Sequence, residues 1–300
     1  MRRLAEELGL GDGALLGSQA EVVNYLKRQP VQSILDATDK LDLKFEPVYG
    51  DDLVPQRPVD AVKCGAVNAG IDLMYGVMRD EGQGFTGSVC PELKQDDLEI
   101  RNHAEACEFI RKLFAAKEQP FAEEAIEFYS KHWPLPENAS TLDYRLFINQ
   151  AYGDWNMVMP VILFAENYAK THFPGARKRK FFSYVLNAPA GVHIMGALAA
   201  NWRIAAHADE LYYLFTITRQ ESEQDRRLSE KIIGAWARFA KYGDPGSIDD
   251  IRWEPALGTG KDDPVPADHH TNYMLLDYQS KMVFDAYRER ISFWSDKTFI

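Results

Sequence analysis

Two stretches of this chain hold side chains that could move a proton. Met78-Arg79-Asp80-Glu81-Gly82 directly follows a short apolar run, Gly70-Ile71-Asp72-Leu73-Met74-Tyr75-Gly76-Val77. Open α/β sheets keep their reacting groups at the C-terminal ends of strands. A carboxylate there can orient a histidine and stabilise its charged form. His207 is a matching histidine, in Ala205-Ala206-His207-Ala208-Asp209-Glu210-Leu211-Tyr212-Tyr213-Leu214-Phe215, well beyond a second apolar run at 181–186. In such a pair the acid fixes the imidazole tautomer, and the histidine takes a nucleophile's proton and returns it to the leaving group. Spacing alone leaves a second reading open: a hydrogen-bonded core histidine and an unrelated surface acid.

Other residue patterns point to rival chemistries. Gly82-Gln83-Gly84-Phe85-Thr86-Gly87 fits G-x-G-x-x-G after a strand, as a dinucleotide site would. A phosphate needs a helix N-terminus next, and Ser88-Val89-Cys90-Pro91-Glu92 is not expected to open one. Asp268-His269-His270 offers two metal-ligand types, but adjacent side chains in a strand point to opposite faces and no third ligand stands nearby. No metal and no cofactor are therefore expected. Arg177-Lys178-Arg179-Lys180 reads as a solvated loop, and Trp202-Arg203 as packing beneath the His207 loop.

Composition narrows the class. The 300 residues are 46% hydrophobic and 26% charged, with a formal net charge of −11. This is a globular composition, and it argues against a nucleic-acid partner, which would meet a basic face. No run approaches the length of a membrane span. The start, Met1-Arg2-Arg3-Leu4-Ala5-Glu6-Glu7-Leu8, places acids inside a helical pattern and lacks the apolar core of a signal peptide. Cys64, Cys90 and Cys107 have no metal spacing and are expected as free thiols. Asn138-Ala139-Ser140 is a glycosylation acceptor if the chain is secreted.

The elements that must carry these residues alternate. Short helices are expected over 1–8, 20–28 and 31–43, then an extended segment at 44–50, where Pro47 biases its neighbour away from helix. Strands are expected at 70–77, 181–186 and 272–277. Helices are expected at 104–116, 121–132, 144–169 and 221–242, the last closed by Gly243 and Pro245. The residues 282–294 read as a terminal helix, and 258–264 as a surface loop. Interleaved strands and helices predict an α/β sheet.

With those residues in view, the chain from its first residue onward resembles the C-terminal half of the type-B carboxylesterase/cholinesterase family. Tyr75-Gly76-Val77-Met78-Arg79-Asp80-Glu81-Gly82 is similar to the family's segment bearing the triad glutamate, and Ala206–Phe215 to its triad-histidine segment. Asp154-Trp155-Asn156-Met157-Val158-Met159-Pro160, Trp236-Ala237-Arg238-Phe239-Ala240-Lys241-Tyr242-Gly243-Asp244-Pro245 and Phe293-Trp294 match further family segments in the right order. The resemblance implies one partial α/β-hydrolase domain over 1–300, its sheet mostly parallel, with a helical cap region at about 100–172. It implies Glu81 as the acid, His207 as the general base, and Phe85 as a substrate-binding aromatic near the acyl pocket. It also implies a small-molecule ester as substrate.

The chain departs from that family in two respects. The nucleophile is missing: no Gly-x-Ser-x-Gly and no Gly-Gly oxyanion motif occurs in the sequence, and Gly17-Ser18-Gln19-Ala20 lacks the flanking pattern. Both are expected from an N-terminal half of the same protein. In addition, Met159 and Ile291 stand where secreted members have one cysteine pair, and Leu10 and Tyr25 approximately where they have another. Losing both partners each time leaves no lone thiol and leans the chain towards an intracellular setting. The expected function is ester hydrolysis by a Ser-Glu-His mechanism. The alternatives are a non-catalytic adhesion or binding member of the family and an inactive truncated fragment.

Overall fold

A computed structural model of the protein describes residues 1–10, 18–41, 43, 45, 47–171, 179–194, 204–215, 222–256 and 271–297. Arg177-Lys178, Trp202-Arg203, the 258–264 loop and Asp268-His269-His270 lie outside the described residues. The chain forms two compact units, Met1–Arg57 and Pro58–Ile300.

The first unit holds α1 (Arg2–Glu7), α2 (Gln19–Leu26) and α3 (Val31–Lys40). Ser18 and Glu21 form a reciprocal capping box at the start of α2. The Tyr25 hydroxyl donates to the Leu8 carbonyl at 2.7 Å, and Lys40 pairs with Glu7 at 2.6 Å. These contacts tie α1 to the other two helices around buried Leu4, Ala5, Val22 and Ala37.

The second unit begins with α4 (Pro58–Lys63), a one-and-a-half-turn helix that sequence periodicity is too short to reveal. Its centre is a four-stranded sheet in the order β1 (Leu73–Met78), β2 (Phe181–Leu186), β5 (Asn272–Leu276), β6 (Lys281–Phe284). β1, β2 and β5 run parallel, and β6 returns antiparallel to β5. The sheet is therefore mixed and mostly parallel. Every residue of β2 is buried, the pattern of a strand covered on both faces.

One face meets α6 (His103–Ala115), α7 (Ala122–His132), α8 (Thr141–Gly153), α9 (Met159–Lys170) and α12 (Arg288–Trp294), through Val77, Val185 and Tyr273 of the strands. Met159 and Ile291 both belong to this cluster. The other face packs Phe182, Tyr184, Leu186, Met274 and Leu276 against Leu228, Ile232 and Ala235 of α11 (Glu223–Tyr242). Trp253 seals that side, its indole N–H donating to the Ser183 carbonyl at 3.1 Å. Trp253 directly follows the two-residue hairpin β3 (Ser247–Ile248) and β4 (Ile251–Arg252).

Local chemistry sets the helix ends. Ser222 caps α11, and Gly243 closes it with φ 64, the left-handed conformation glycine adopts without penalty. Ser140 of the glycosylation acceptor is the N-cap of α8, in a capping box with Asp143. Between α8 and α9 the chain makes a π turn, Asp154–Val158. Pro160 in the first turn of α9 has no N–H to continue an α ladder. The Arg179 guanidinium donates to the carbonyls of Tyr168 (2.9 Å) and Thr171 (2.5 Å) and lies over the Tyr168 ring at 4.6 Å. It thus caps the C-terminus of α9, whereas the basic run predicted a solvated loop.

Two further expectations are corrected. The helix predicted over 282–294 is a strand followed by a helix: β6, then α12 from Arg288. Met282, Val283 and Phe284 pair with β5 across the short turn at 277–280, and tertiary pairing overrides a helical spacing. The glycine run at 82–87 does enter a helix, α5 (Phe85–Val89), started at Gly84 with φ 97. This helix has five residues, and the Thr86 N–H already bonds the Gly82 carbonyl at 3.1 Å. A 3₁₀ turn over Pro91–Lys94 follows it.

Candidate active site

Glu81 sits on the turn that ends β1. Its Oε1 accepts the Met78 N–H at 2.9 Å, so the carboxylate folds back over the strand end. The side chain is 5% exposed. Gly82 lets this turn lie directly on α8: a Cβ there would fall 2.0 Å from the Asn149 carbonyl oxygen. Gly153 makes the matching concession, since its Cβ would fall 2.4 Å from the Gly82 nitrogen. Asn149 completes the seat. Its amide donates to Gln83 Oε1 at 2.5 Å, and its Oδ1 accepts the Thr86 hydroxyl at 2.8 Å.

His207 stands on the turn 206–209, ahead of α10 (Glu210–Leu214). Its Nδ1 lies 2.6 Å from Glu81 Oε2. An ionised carboxylate only accepts, so Nδ1 carries the proton and Nε2 is the basic nitrogen of the neutral ring. Nε2 makes no hydrogen bond among the described residues. The bond to Glu81 raises the His207 pKa above the ordinary 6.5, against the opposing effect of partial burial. Phe85 meets the imidazole edge to face, ring centroids 4.8 Å apart at 62°. The structure thus brings Glu81, His207 and Phe85 together at the C-terminal end of β1.

The two loops are joined by backbone as well as by side chains. Asp80 and Ala206 form a parallel bridge beyond the strand ends. The Asp80 N–H donates to the Ala205 carbonyl at 2.9 Å, and Asp80 Oδ2 accepts the Ala205 N–H at 3.0 Å. Arg79 braces Asp80 at 2.8 Å. Asp80 thus fastens the two loops together, and the strand-end pattern contains it without distinguishing it from Glu81.

Glu210 adds a half-buried carboxyl to the neighbourhood. Its Oε2 has no hydrogen-bond partner among the described residues. Burial pushes its pKa up, and the charge of Glu81 adds to that shift. A cavity of about 320 Å³ is lined by Arg79, Asp80, Trp133, Phe147, Gln150 and Arg290 among others, but by neither Glu81 nor His207. No group of three His, Cys, Asp or Glu side chains among the described residues is arranged to hold a metal ion. No disulfide joins the three cysteines; Cys64 is exposed and Cys90 and Cys107 are buried. No described helix is long and apolar enough to cross a membrane.

Chemically, the arrangement supplies an oriented imidazole base with a carboxylate behind it. The serine and the oxyanion donors of acyl transfer are not among its hydrogen-bonded partners. Comparison with known proteins bears on that gap. The model of the carboxylesterase family matches residues 1–294. Acetylcholinesterase of Bungarus fasciatus is 26% identical over 254 residues, covering 78% of this chain and 40% of that protein. Cholinesterase of Mus musculus is 22% identical over 290 residues, covering 92% of this chain and 44% of that protein. The chain spans less than half the length of either relative.

Proposed function

Since the chain belongs to the carboxylesterase family, and with it to the α/β-hydrolase fold, we propose that it forms the acid-and-base part of a carboxylic-ester hydrolase. Residues 1–300 are one part of a single α/β-hydrolase domain, and the helices within 100–172 are its cap. Glu81 holds the tautomer of His207 and stabilises its imidazolium. His207 Nε2 takes the proton of a serine hydroxyl as the hydroxyl attacks the ester carbonyl, then delivers it to the departing alcohol. Phe85, packed on the imidazole, borders the acyl group of the substrate.

The observation that carries this reading is the 2.6 Å contact between His207 Nδ1 and Glu81 Oε2. The nucleophile and oxyanion hole come from outside these residues, because no Gly-x-Ser-x-Gly occurs among the 300. The sheet edge supports the same division. β1 bonds β2 through Leu73 and Arg79, which turns the peptide groups of Met74 and Gly76 to its other edge. That edge has no partner strand among the described residues. Yet Tyr75, Val77 and Met78 are buried, as in an interior strand. A further strand pairing there would bring the serine loop beside Glu81.

The test is turnover of a short-chain nitrophenyl ester. The 300-residue chain is expected to be inactive, and to gain turnover when co-expressed with the upstream half carrying Gly-x-Ser-x-Gly. That turnover is expected to vanish in His207→Ala. Turnover by the chain alone, lost in His207→Ala, would show that it holds its own nucleophile and would overturn the division.

A further inference from the structure

Behind the Glu81–His207 couple stands a second imidazole and a second carboxylate. His193, on the segment leaving β2, places Nδ1 2.7 Å from Asp209 Oδ2. The Asp209 side chain is 0% exposed and that of His193 11%. The same Asp209 oxygen accepts the Ala206 N–H at 2.7 Å, while the Asp209 N–H returns to the Ala206 carbonyl at 3.1 Å. Asp209 thus closes, from both its backbone and its side chain, the turn on which His207 stands.

Three details separate this from ordinary packing. Asp209 occupies the N-cap position of α10, where a carboxylate normally bonds the helix's own N–H groups, and it makes no such cap. It reaches back to Ala206 instead. Ala208, inside the turn, has φ 67, a left-handed conformation that alanine seldom adopts unless its surroundings enforce it. Finally, Asp209 Oδ1 is buried without a partner among the described residues. A buried carboxylate served this poorly depends on the donors at its other oxygen, and His193 is the only side chain among them in the described residues.

We propose that His193 is a positioning residue for His207, acting through Asp209 to hold the turn that presents the imidazole to Glu81. It never touches the reacting atoms. Its Nδ1–H fixes the Asp209 carboxylate, which fixes the Ala206 amide and with it the direction in which the His207 side chain leaves the turn. The inference rests on reading His207 as the general base, but the coupling itself can be measured without a nucleophile.

Selective isotope labelling of the histidines in the 300-residue chain gives the readout. His207 should titrate above 6.5 and show a strongly deshielded Nδ1 proton from its bond to Glu81. Glu81→Gln should abolish both signatures. His193→Asn keeps an N–H near the position of Nδ1 and should preserve both. His193→Gln moves the donor one bond outward, and should lose the deshielded proton and bring the His207 midpoint back towards 6.5. If Glu81→Gln removes the signatures and His193→Gln leaves them as in the wild type, the positioning role is overturned while the acid–base couple stands. If Glu81→Gln changes nothing, the couple and the proposal fall together. Should His193→Gln not fold, His193→Asn decides alone, and loss of the signatures in that variant overturns the proposal.

Discussion

At the residue scale, the bond between Glu81 and His207 links the candidate chemistry to stability. The folded protein binds the His207 proton more tightly than the unfolded chain, because Glu81 raises its pKa above 6.5. The stabilisation is therefore complete below 6.5 and is lost as pH rises through the higher folded-state value. The difference in urea midpoint between wild type and Glu81→Gln should shrink between about pH 5 and about pH 8. A constant difference would mean that the two side chains do not share a proton-linked bond. On the proposed function, the same shift moves the acid limb of kcat/KM above the ordinary histidine range, since the base must be neutral. The close approach of Gly82 to α8 makes a separate prediction. In Gly153→Ala the added methyl would meet the Gly82 backbone, at a cost of about 1–3 kcal/mol, and would push the Glu81 turn away from His207. Thermal unfolding reads the first effect and the His207 titration midpoint the second. Spacing alone left Glu81 and His207 beside a second reading, and the resemblance of their two segments to the family's singled them out; the structure sets the side chains 2.6 Å apart. Gly153 and Asn149 were not legible, because backbone proximity between segments far apart in sequence leaves no local mark.

At the element scale, a buried polar chain fastens α7 and the turn after α8 to α12. The Trp294 indole N–H donates to the Tyr129 hydroxyl at 2.9 Å, and Tyr129 donates to Asp154 at 2.5 Å. Gln150 and Arg290 also bond Asp154, at 2.8 and 3.3 Å. Burial pushes the Asp154 pKa up, and Arg290 and Tyr129 pull against it. Tyr129→Phe removes the acceptor of the Trp294 indole N–H and the donor to one Asp154 oxygen, at about 1–3 kcal/mol. Trp294→Ala removes a fully buried side chain, at about 3–5 kcal/mol. Urea denaturation measures both, and equal losses in the two variants would show that the polar chain and not the ring dominates. Element types were mostly readable from periodicity, and α6, α7, α11 and β2 stand within two residues of their expected limits. The failure at 282–294 has a definite cause: β6 is four residues long, and its strand character exists only through β5.

At the scale of the whole molecule, β1, an interior-type strand whose outer edge has no partner strand among the described residues, sets the chain's solution behaviour. Unpaired backbone groups beside buried apolar side chains invite pairing with another copy. The isolated chain should self-associate as its concentration rises to about 100 μM, and co-expression with the upstream half should suppress this. Light scattering decides the point, and a monomer across that range would argue against an open edge. The α/β class could be read from the alternation of elements. That a half sheet leaves an open edge follows from the resemblance; which strand lies there does not, because strand order is a property of contacts and not of segments.

The bridge between Asp80 and Ala206 gives the two loops a common fate. Amide protons exchange with solvent only when their bonds open, and neighbouring bonds in one ladder open as a cooperative unit. The Asp80 amide bonds the Ala205 carbonyl and the Ala205 amide bonds the Asp80 carboxylate, so both bonds span the same two loops and open when the loops part. Their deuterium uptake should follow a single rate, faster than that of Val185 in the strand between the two helical layers. The acid and the base would then be lost and regained together, and the site would have no state in which one is ready and the other is not.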